Sequence, residues 1–75
     1  MKINQNDLEQ KVKALNTISH GVKFDLDFAN GGVRLVRMYE GVSSYVSVRG
    51  TKREIYHTIE AMINVLYFIN KQLDK

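Results

Sequence analysis

The alternation of apolar and charged residues from Val22 to Phe28 constrains the fold of this chain more than any other feature of its sequence. An uninterrupted alternation predicts a strand with one face toward a core and the other toward solvent. The dipeptide Asn30-Gly31 follows, and it supplies the two positive φ values that a type I′ hairpin turn needs. The segment therefore predicts one arm of an antiparallel hairpin.

Two more strands are expected after this turn. Residues 33–39 would pair with residues 22–28, and residues 42–48 would form a third strand after a second turn at Glu40-Gly41. If both turns contain two residues, the two registers place the apolar side chains on one face. That face is expected to hold the following core residues: Val22, Phe24, Leu26, Phe28, Val33, Leu35, Val46 and Val48.

Capping signals predict a helix at each end of the chain. Asn4 can cap a first helix over about residues 4–18. Thr51 and Glu54 form a capping box that opens a second helix over about residues 51–73. The sequence therefore predicts a single α+β domain spanning all 75 residues, in the order α-β-β-β-α. Its three-stranded antiparallel meander is expected to have one face covered by the C-terminal helix.

The opposite face of the predicted sheet mixes apolar and charged side chains. Val36, Met38 and Tyr45 lie at its centre, surrounded by charges. An apolar centre inside a charged rim is typical of a protein contact, and Met and Tyr are enriched in such centres. Two structural alternatives stay open: the first helix packs on this face, or a β-bulge turns Val36 and Met38 into the core.

The second helix is apolar on more sides than the covering of one sheet requires. Residues 65–69 are all apolar, so some of Tyr56, Tyr67 and Phe68 must contact something besides the sheet. The first helix is one candidate and a second copy of the chain is the other. Tyr67 and Phe68 are therefore candidate contacts with a protein partner or within a homodimer.

The whole chain has a formal net charge of +3, and its basic residues concentrate in one part of it. Arg49, Lys52 and Arg53 flank the start of the second helix, where free N–H groups and the helix dipole favour negative charge. Together with Arg34 on the second strand, they form a candidate anion or nucleic-acid contact. An ordinary helix cap flanked by solvated bases has the same sequence, so both interpretations stay open.

No residue pattern typical of catalysis occurs in the sequence. The chain has no cysteine, which excludes thiolate chemistry and disulfides, and its two histidines, His20 and His57, lie far apart. Asp25 and Asp27 point to the same side of a strand, but on an open face where carboxylates serve as solvated cross-strand partners. We expect no enzymatic activity, no cofactor, no metal ion and no small-molecule substrate.

The predicted element order, with basic residues opening the second helix, resembles the double-stranded-RNA-binding domain in topology and length. That family carries a longer loop between its first two strands, with a Gly-Pro-x-His motif. Residues 29–32 of this chain contain neither Pro nor His, and Lys52 and Arg53 match the Lys-rich helix start only loosely. Loss of the loop removes one of the contacts that span successive grooves, so the RNA-binding activity is not carried over.

Two segments resemble small proteins encoded in the early or accessory regions of phages and prophages of Gram-positive bacteria. They are residues 24–37, FDLDFANGGVRLVR, and residues 51–56, TKREIY, together under a third of the chain. The resemblance implies a non-enzymatic accessory factor that acts by protein–protein binding to host or phage components.

The sequence also predicts where such a protein acts. No apolar run approaches the roughly 18 residues that cross a bilayer, and residues 1–7 lack an apolar signal segment. We therefore expect the protein to lie in the cytoplasm and to have no membrane partner. If the chain is phage-encoded, this would be the cytoplasm of the host cell.

Overall fold

A computed structural model describes residues 2–19 and 21–73 as an α+β fold with two helices and one sheet. The elements are α1 (Gln5–Ile18), β1 (Lys23–Ala29), β2 (Gly32–Tyr39), β3 (Val42–Tyr45) and α2 (Lys52–Leu73). The three strands form one antiparallel sheet in the order β1-β2-β3. The predicted fold class and meander are therefore confirmed.

Side-chain caps define where both helices begin. The Asn4 side chain accepts a 2.9 Å hydrogen bond from the backbone N–H of Asp7, and Asp7 accepts one of 3.0 Å from the N–H of Asn4. At the start of α2, Glu54 accepts from the N–H of Thr51 at 2.9 Å, and the Thr51 hydroxyl accepts from the N–H of Glu54 at 3.1 Å. These bonds satisfy N–H groups that a helix leaves unpaired. The bonds from the Thr51 backbone and side chain also hold the pKa of the Glu54 carboxyl below its usual value.

Both hairpins have the predicted register. Asp27 lies opposite Arg34 across the first turn, and Val36 lies opposite Tyr45 across the second. Alternate residues therefore share a face, and Leu35 lies on the face opposite to Arg34 and Val36. The buried core on that face comprises Ile3, Leu8, Val12, Leu15, Phe24, Val33, Leu35, Ile55 and Ile59.

The third strand is shorter than predicted because the chain bulges after Tyr45. Val33 and Gly50 exchange two backbone hydrogen bonds of 2.9 and 2.8 Å. The predicted register would place Val48 opposite Val33. Because Gly50 lies there instead, the chain has extra residues on the β3 side, which is a β-bulge. Within this bulge the Ser47 hydroxyl accepts a 3.0 Å hydrogen bond from the β2 backbone, where a regular ladder would use a carbonyl.

The predicted core is wrong near this bulge. Val48 is 86% exposed because the bulge carries it off the sheet, and Val46 is 40% exposed. Phe28, which pairs with Val33 from the β1 side, is 41% exposed. Val22 and Leu26 are half-buried against the core.

Both helices pack on the same face of the sheet and run side by side in the same direction. α1 contacts β1 and α2, and α2 contacts β2. Lys11 of α1 lies 3.7 Å from Glu60, and the Asn70 amide donates to the carbonyl of Ile18 at 3.4 Å. The alternative in which α1 covers the outer face is wrong, and so is the alternative that turns Met38 into the core, since Met38 is 42% exposed.

Candidate protein-binding surfaces

Val36, Met38 and Tyr45 lie together on the sheet face opposite the helices, and we call these three residues the outer sheet surface. The register places Tyr45 beside Val36, with Met38 two residues further along β2. Tyr45 is 63% exposed, Met38 is 42% exposed and Val36 is half-buried. Since neither described helix covers this face, the three predicted contact residues form an apolar strip that a partner can reach.

Arg34 holds the Tyr45 ring in position on this surface. Its guanidinium carbon lies 3.4 Å from the ring centre, which is cation–π stacking. The guanidinium is itself held by a 3.2 Å hydrogen bond that Arg34 Nε donates to the Asp27 carboxylate. The ring is thus oriented in the free protein, which lowers the entropy that binding would cost.

Asp27 is shared by two arginines. Arg49 Nη2 donates to the Asp27 carboxylate at 3.0 Å, and Arg49 Nη1 donates to the backbone carbonyls of Asp27 and Gly32 at 3.1 and 3.2 Å. Hydrogen bonds from Arg34 and then from Arg49 hold the pKa of the Asp27 carboxyl below its usual value. This cluster ties the segment after β3 to the first hairpin.

The four predicted anion-binding residues lie in two different settings. Arg34 and Arg49 contact the Asp27 carboxylate, whereas Lys52 and Arg53 are exposed in the first turn of α2. The carboxylate of the α2 capping box accepts a hydrogen bond at that same helix end. Two acidic groups therefore lie within the surface that was predicted to attract an anion.

Tyr67 and Phe68 lie on different sides of α2, because neighbouring residues of a helix point about 100° apart. Tyr67 lines a cleft with Ile18, at the end of α1, and with Asn70. Phe68 lies on the side of α2 away from the core and is 63% exposed, while Tyr67 is 66% exposed. Both side chains are mostly exposed, but Tyr67 lies beside the end of α1 and Phe68 is not part of that cleft.

An apolar groove of about 380 Å³ lies along α2, where Phe24 of β1 contributes to its lining. The side chains that line it are all apolar: Phe24, Ala61, Met62, Val65 and Leu66. Val65 is 57% exposed, and Ile69, one turn further along the helix, is 44% exposed. Val65 lines the groove, and Phe68, three residues further along the helix, lies next to Val65 on the helix surface.

The sequence interpretation missed side chains that join distant segments. Asn16 donates to the carbonyl of Phe24 at 3.0 Å and accepts from its N–H at 2.7 Å, so one amide pairs with the outer edge of β1. Arg49 bonds to residues 17 and 22 positions away. No local spacing signals such contacts, since each partner lies in a different element.

Among the residues that the structure describes, the remaining groups of chemical interest do not converge on one site. His57 Nδ1 lies 3.6 Å from a carboxylate oxygen of Glu60 on α2, and His20 lies outside the described residues. Within residues 2–19 and 21–73, no three His, Cys, Asp or Glu side chains are grouped so that they could hold a metal ion. Over the same ranges, no helix is both long and apolar enough to cross a membrane.

Comparisons of this chain with protein-family models, with curated proteins and with solved structures find no match. The surfaces of the fold are therefore the basis on which a function is proposed.

Proposed function

We propose that this protein is a non-enzymatic accessory factor that binds a partner protein through its outer sheet surface. The observation that supports this most is that both helices pack on the other face of the sheet, which leaves Met38 and Tyr45 exposed beside Arg34. Tyr, Met and Arg are enriched in protein interfaces, and Tyr and Arg are frequent binding hot spots.

The rim of the surface indicates the chemistry of the partner. Lys23 pairs with Met38 and Asp25 pairs with Val36 across β1 and β2, so one positive and one negative side chain border the apolar strip. A complementary partner places an apolar side chain on the strip, a negative charge beside Lys23 and a positive charge beside Asp25. Such an arrangement gives specificity and orientation more than raw affinity.

The resemblance to phage and prophage accessory proteins stays a prediction, and it favours the same class of function. On that basis the partner is a host or phage protein, and the site of action is the cytoplasm of the host cell. Val36 and Met38 of the surface lie on the central strand β2, which pairs with a strand on each side.

Nucleic-acid binding is the alternative, and it would use Lys52 and Arg53 together with the two arginines at Asp27. The carboxylates of Asp27 and Glu54 lie among these bases and would repel phosphates. Fluorescence anisotropy of labelled duplex RNA, duplex DNA and single-stranded DNA separates the two functions. Saturable binding that weakens linearly with log salt concentration would favour the alternative, and no binding even at low salt would favour a protein partner.

Affinity capture with matched variants tests the proposal. The immobilised protein is exposed to a lysate of a Gram-positive bacterium, and bound proteins are compared between the wild type and the M38A/Y45A variant. The control is Y39A/V42A, because Tyr39 and Val42 are also paired on β2 and β3 and exposed, but on the other face. We expect a partner whose retention falls at least about tenfold, or roughly 1.4 kcal/mol, only in M38A/Y45A. Equal capture by all three proteins, or equal loss in both variants, would contradict the proposal.

A further inference from the structure

α2 carries a second apolar stripe that no described element covers. The first stripe, which includes Ile55 and Ile59, is buried in the core. Ala61, Val65 and Phe68 follow one another at spacings of four and three residues on a different side of the helix, and all three are exposed. Spacings of four and three are those of residues that meet in a helix–helix seam.

The chemistry of this stripe suits contact with an identical molecule. Residues 61–70 contain no charged side chain. Two molecules that each carry a net charge of +3 repel at long range, but an uncharged contact brings no like charges together. Ala61 adds little bulk, which allows a second helix to approach closely.

We propose that two copies of the chain associate through α2, with Phe68 of each copy inserted into the apolar groove of the other. The helices would pack antiparallel about a two-fold axis near Val65. That arrangement places Phe68 of one copy opposite Ala61 and Met62 of the other, and both of these line the groove. A two-fold contact requires one surface that is complementary to itself, and this surface has an exposed ring and an apolar groove within two turns of one helix.

The exposed side chains of the stripe provide part of the area that such a contact needs. With roughly 150–250 Å² for an aromatic side chain, the exposed fraction of 63% corresponds to on the order of 100 Å² for Phe68 of each copy, and Val65 and Ile69 are 57% and 44% exposed. A specific interface buries at least about 500 Å² per partner. Ala61 and the exposed Asn64 and Gln72, which lie beside the stripe, would add to the contact.

The dimer adds to the proposed function without depending on it. Because α2 packs on the inner face of the sheet, a contact through α2 leaves both outer sheet surfaces free. The dimer would therefore present two copies of the partner-binding surface, and bivalent binding raises the affinity for a multivalent partner.

Sedimentation equilibrium of the full chain tests the dimer. We expect a species of twice the 8.6 kDa monomer mass, and loss of that species in F68D. The matched control is Y67D, because Tyr67 has a similar exposure but lies on the flank toward α1. A61Q is a second variant, which blocks close approach but keeps Val65 and Phe68. Circular dichroism melts establish that each variant is folded.

The outcomes decide the inference independently of partner capture. Dimerisation that is lost in F68D and A61Q but kept in Y67D supports it. A monomer at concentrations up to about 1 mM, where even weak complexes are populated, would overturn it, as would a dimer unaffected by F68D and A61Q. Since the chain has no cysteine, V65C adds a geometric readout: oxidation should link two copies at this position, and Q10C, on the exposed side of α1, should not be linked.

Discussion

The Arg34 guanidinium lies over the Tyr45 ring with 3.4 Å between the guanidinium carbon and the ring centre. This contact joins β2 to the edge strand β3 on the outer sheet surface, while Asp27 on β1 holds the same guanidinium. Three strands are thus connected through one arginine side chain. The ring that we propose as a binding contact is also part of how the short third strand is held to the sheet.

The Arg34–Tyr45 contact should be measurable as a coupling energy. In a double-mutant cycle of R34A and Y45A, we expect the effects on the free energy of unfolding to differ from additivity by about 0.5–1 kcal/mol, as for a partly exposed cation–π pair. Urea denaturation provides the free energies. Additivity to within about 0.3 kcal/mol would show that the stacking does not stabilise the folded state.

Gly32 should tolerate no side chain, because its backbone lies against that of Gly50. A Cβ at Gly32 would collide with the Gly50 carbonyl oxygen, whereas a Cβ at Gly41 would meet no atom within 4 Å. Both glycines have positive φ, 130° and 80°, so both alanine variants carry a backbone cost. We expect G32A to destabilise by about 1–3 kcal/mol more than G41A in urea denaturation. Equal effects would mean that the bulge relaxes away from Gly32.

The Asn16 amide should stabilise the fold and protect the edge of β1. N16A leaves both backbone groups of Phe24 without their partner, so we expect a loss of about 1–3 kcal/mol. It also exposes part of a strand edge, so light scattering should show more aggregation on heating. T17A is the matched control, since Thr17 bonds only to a carbonyl of its own helix. An N16A protein as stable as T17A would contradict this role.

The features of the fold that the sequence predicts correctly are those set by interactions between residues close together in the chain. The hairpin registers follow from Asn30-Gly31 and the alternating pattern, and the start of α2 follows from Thr51 and Glu54, because each signal lies within a few residues. Within the bulge, by contrast, the Ser47 hydroxyl accepts a hydrogen bond from the backbone N–H of Leu35 on another strand. Contacts of that kind are set by tertiary packing, so the predicted strand continued to Val48.

The candidate surfaces also combine features that a local sequence pattern predicts with features that depend on tertiary packing. Alternation placed Val36 and Met38 on the outer face, which the structure confirms. Whether α1 covered that face was not encoded in any local pattern, since it depends on the path of the chain between α1 and β1. The different surroundings of Tyr67 and Phe68 likewise became visible only once α1 was placed beside α2.

Acid should destabilise the protein partly through Asp27. Its two arginine partners lower the pKa of the folded-state carboxyl, so the unfolded state binds a proton first as pH falls. The contribution is fully present above the ordinary Asp pKa of about 3.9 and is lost as pH falls through the lower folded-state value. We expect the difference in unfolding free energy between wild type and D27N to be constant near neutrality and to shrink below about pH 4.

Urea denaturation at a series of pH values checks this expectation. D25N is the matched control for removing a carboxylate from the same strand, because Asp25 makes no ion pair among the described residues and accepts only from the backbone N–H of Leu26. If the difference in unfolding free energy between wild type and D27N stays unchanged down to about pH 2, the two arginines do not stabilise the Asp27 carboxylate.

The most direct test of whether a protein occupies the outer sheet surface is amide hydrogen exchange of the chain, measured with and without the captured partner. We predict slower exchange in β3 (Val42–Tyr45) and in the adjoining part of β2 when the partner is bound, with the first turn of α2 unchanged. Protection confined to that first turn, around Lys52 and Arg53, would contradict the proposal and locate binding at the basic end of α2.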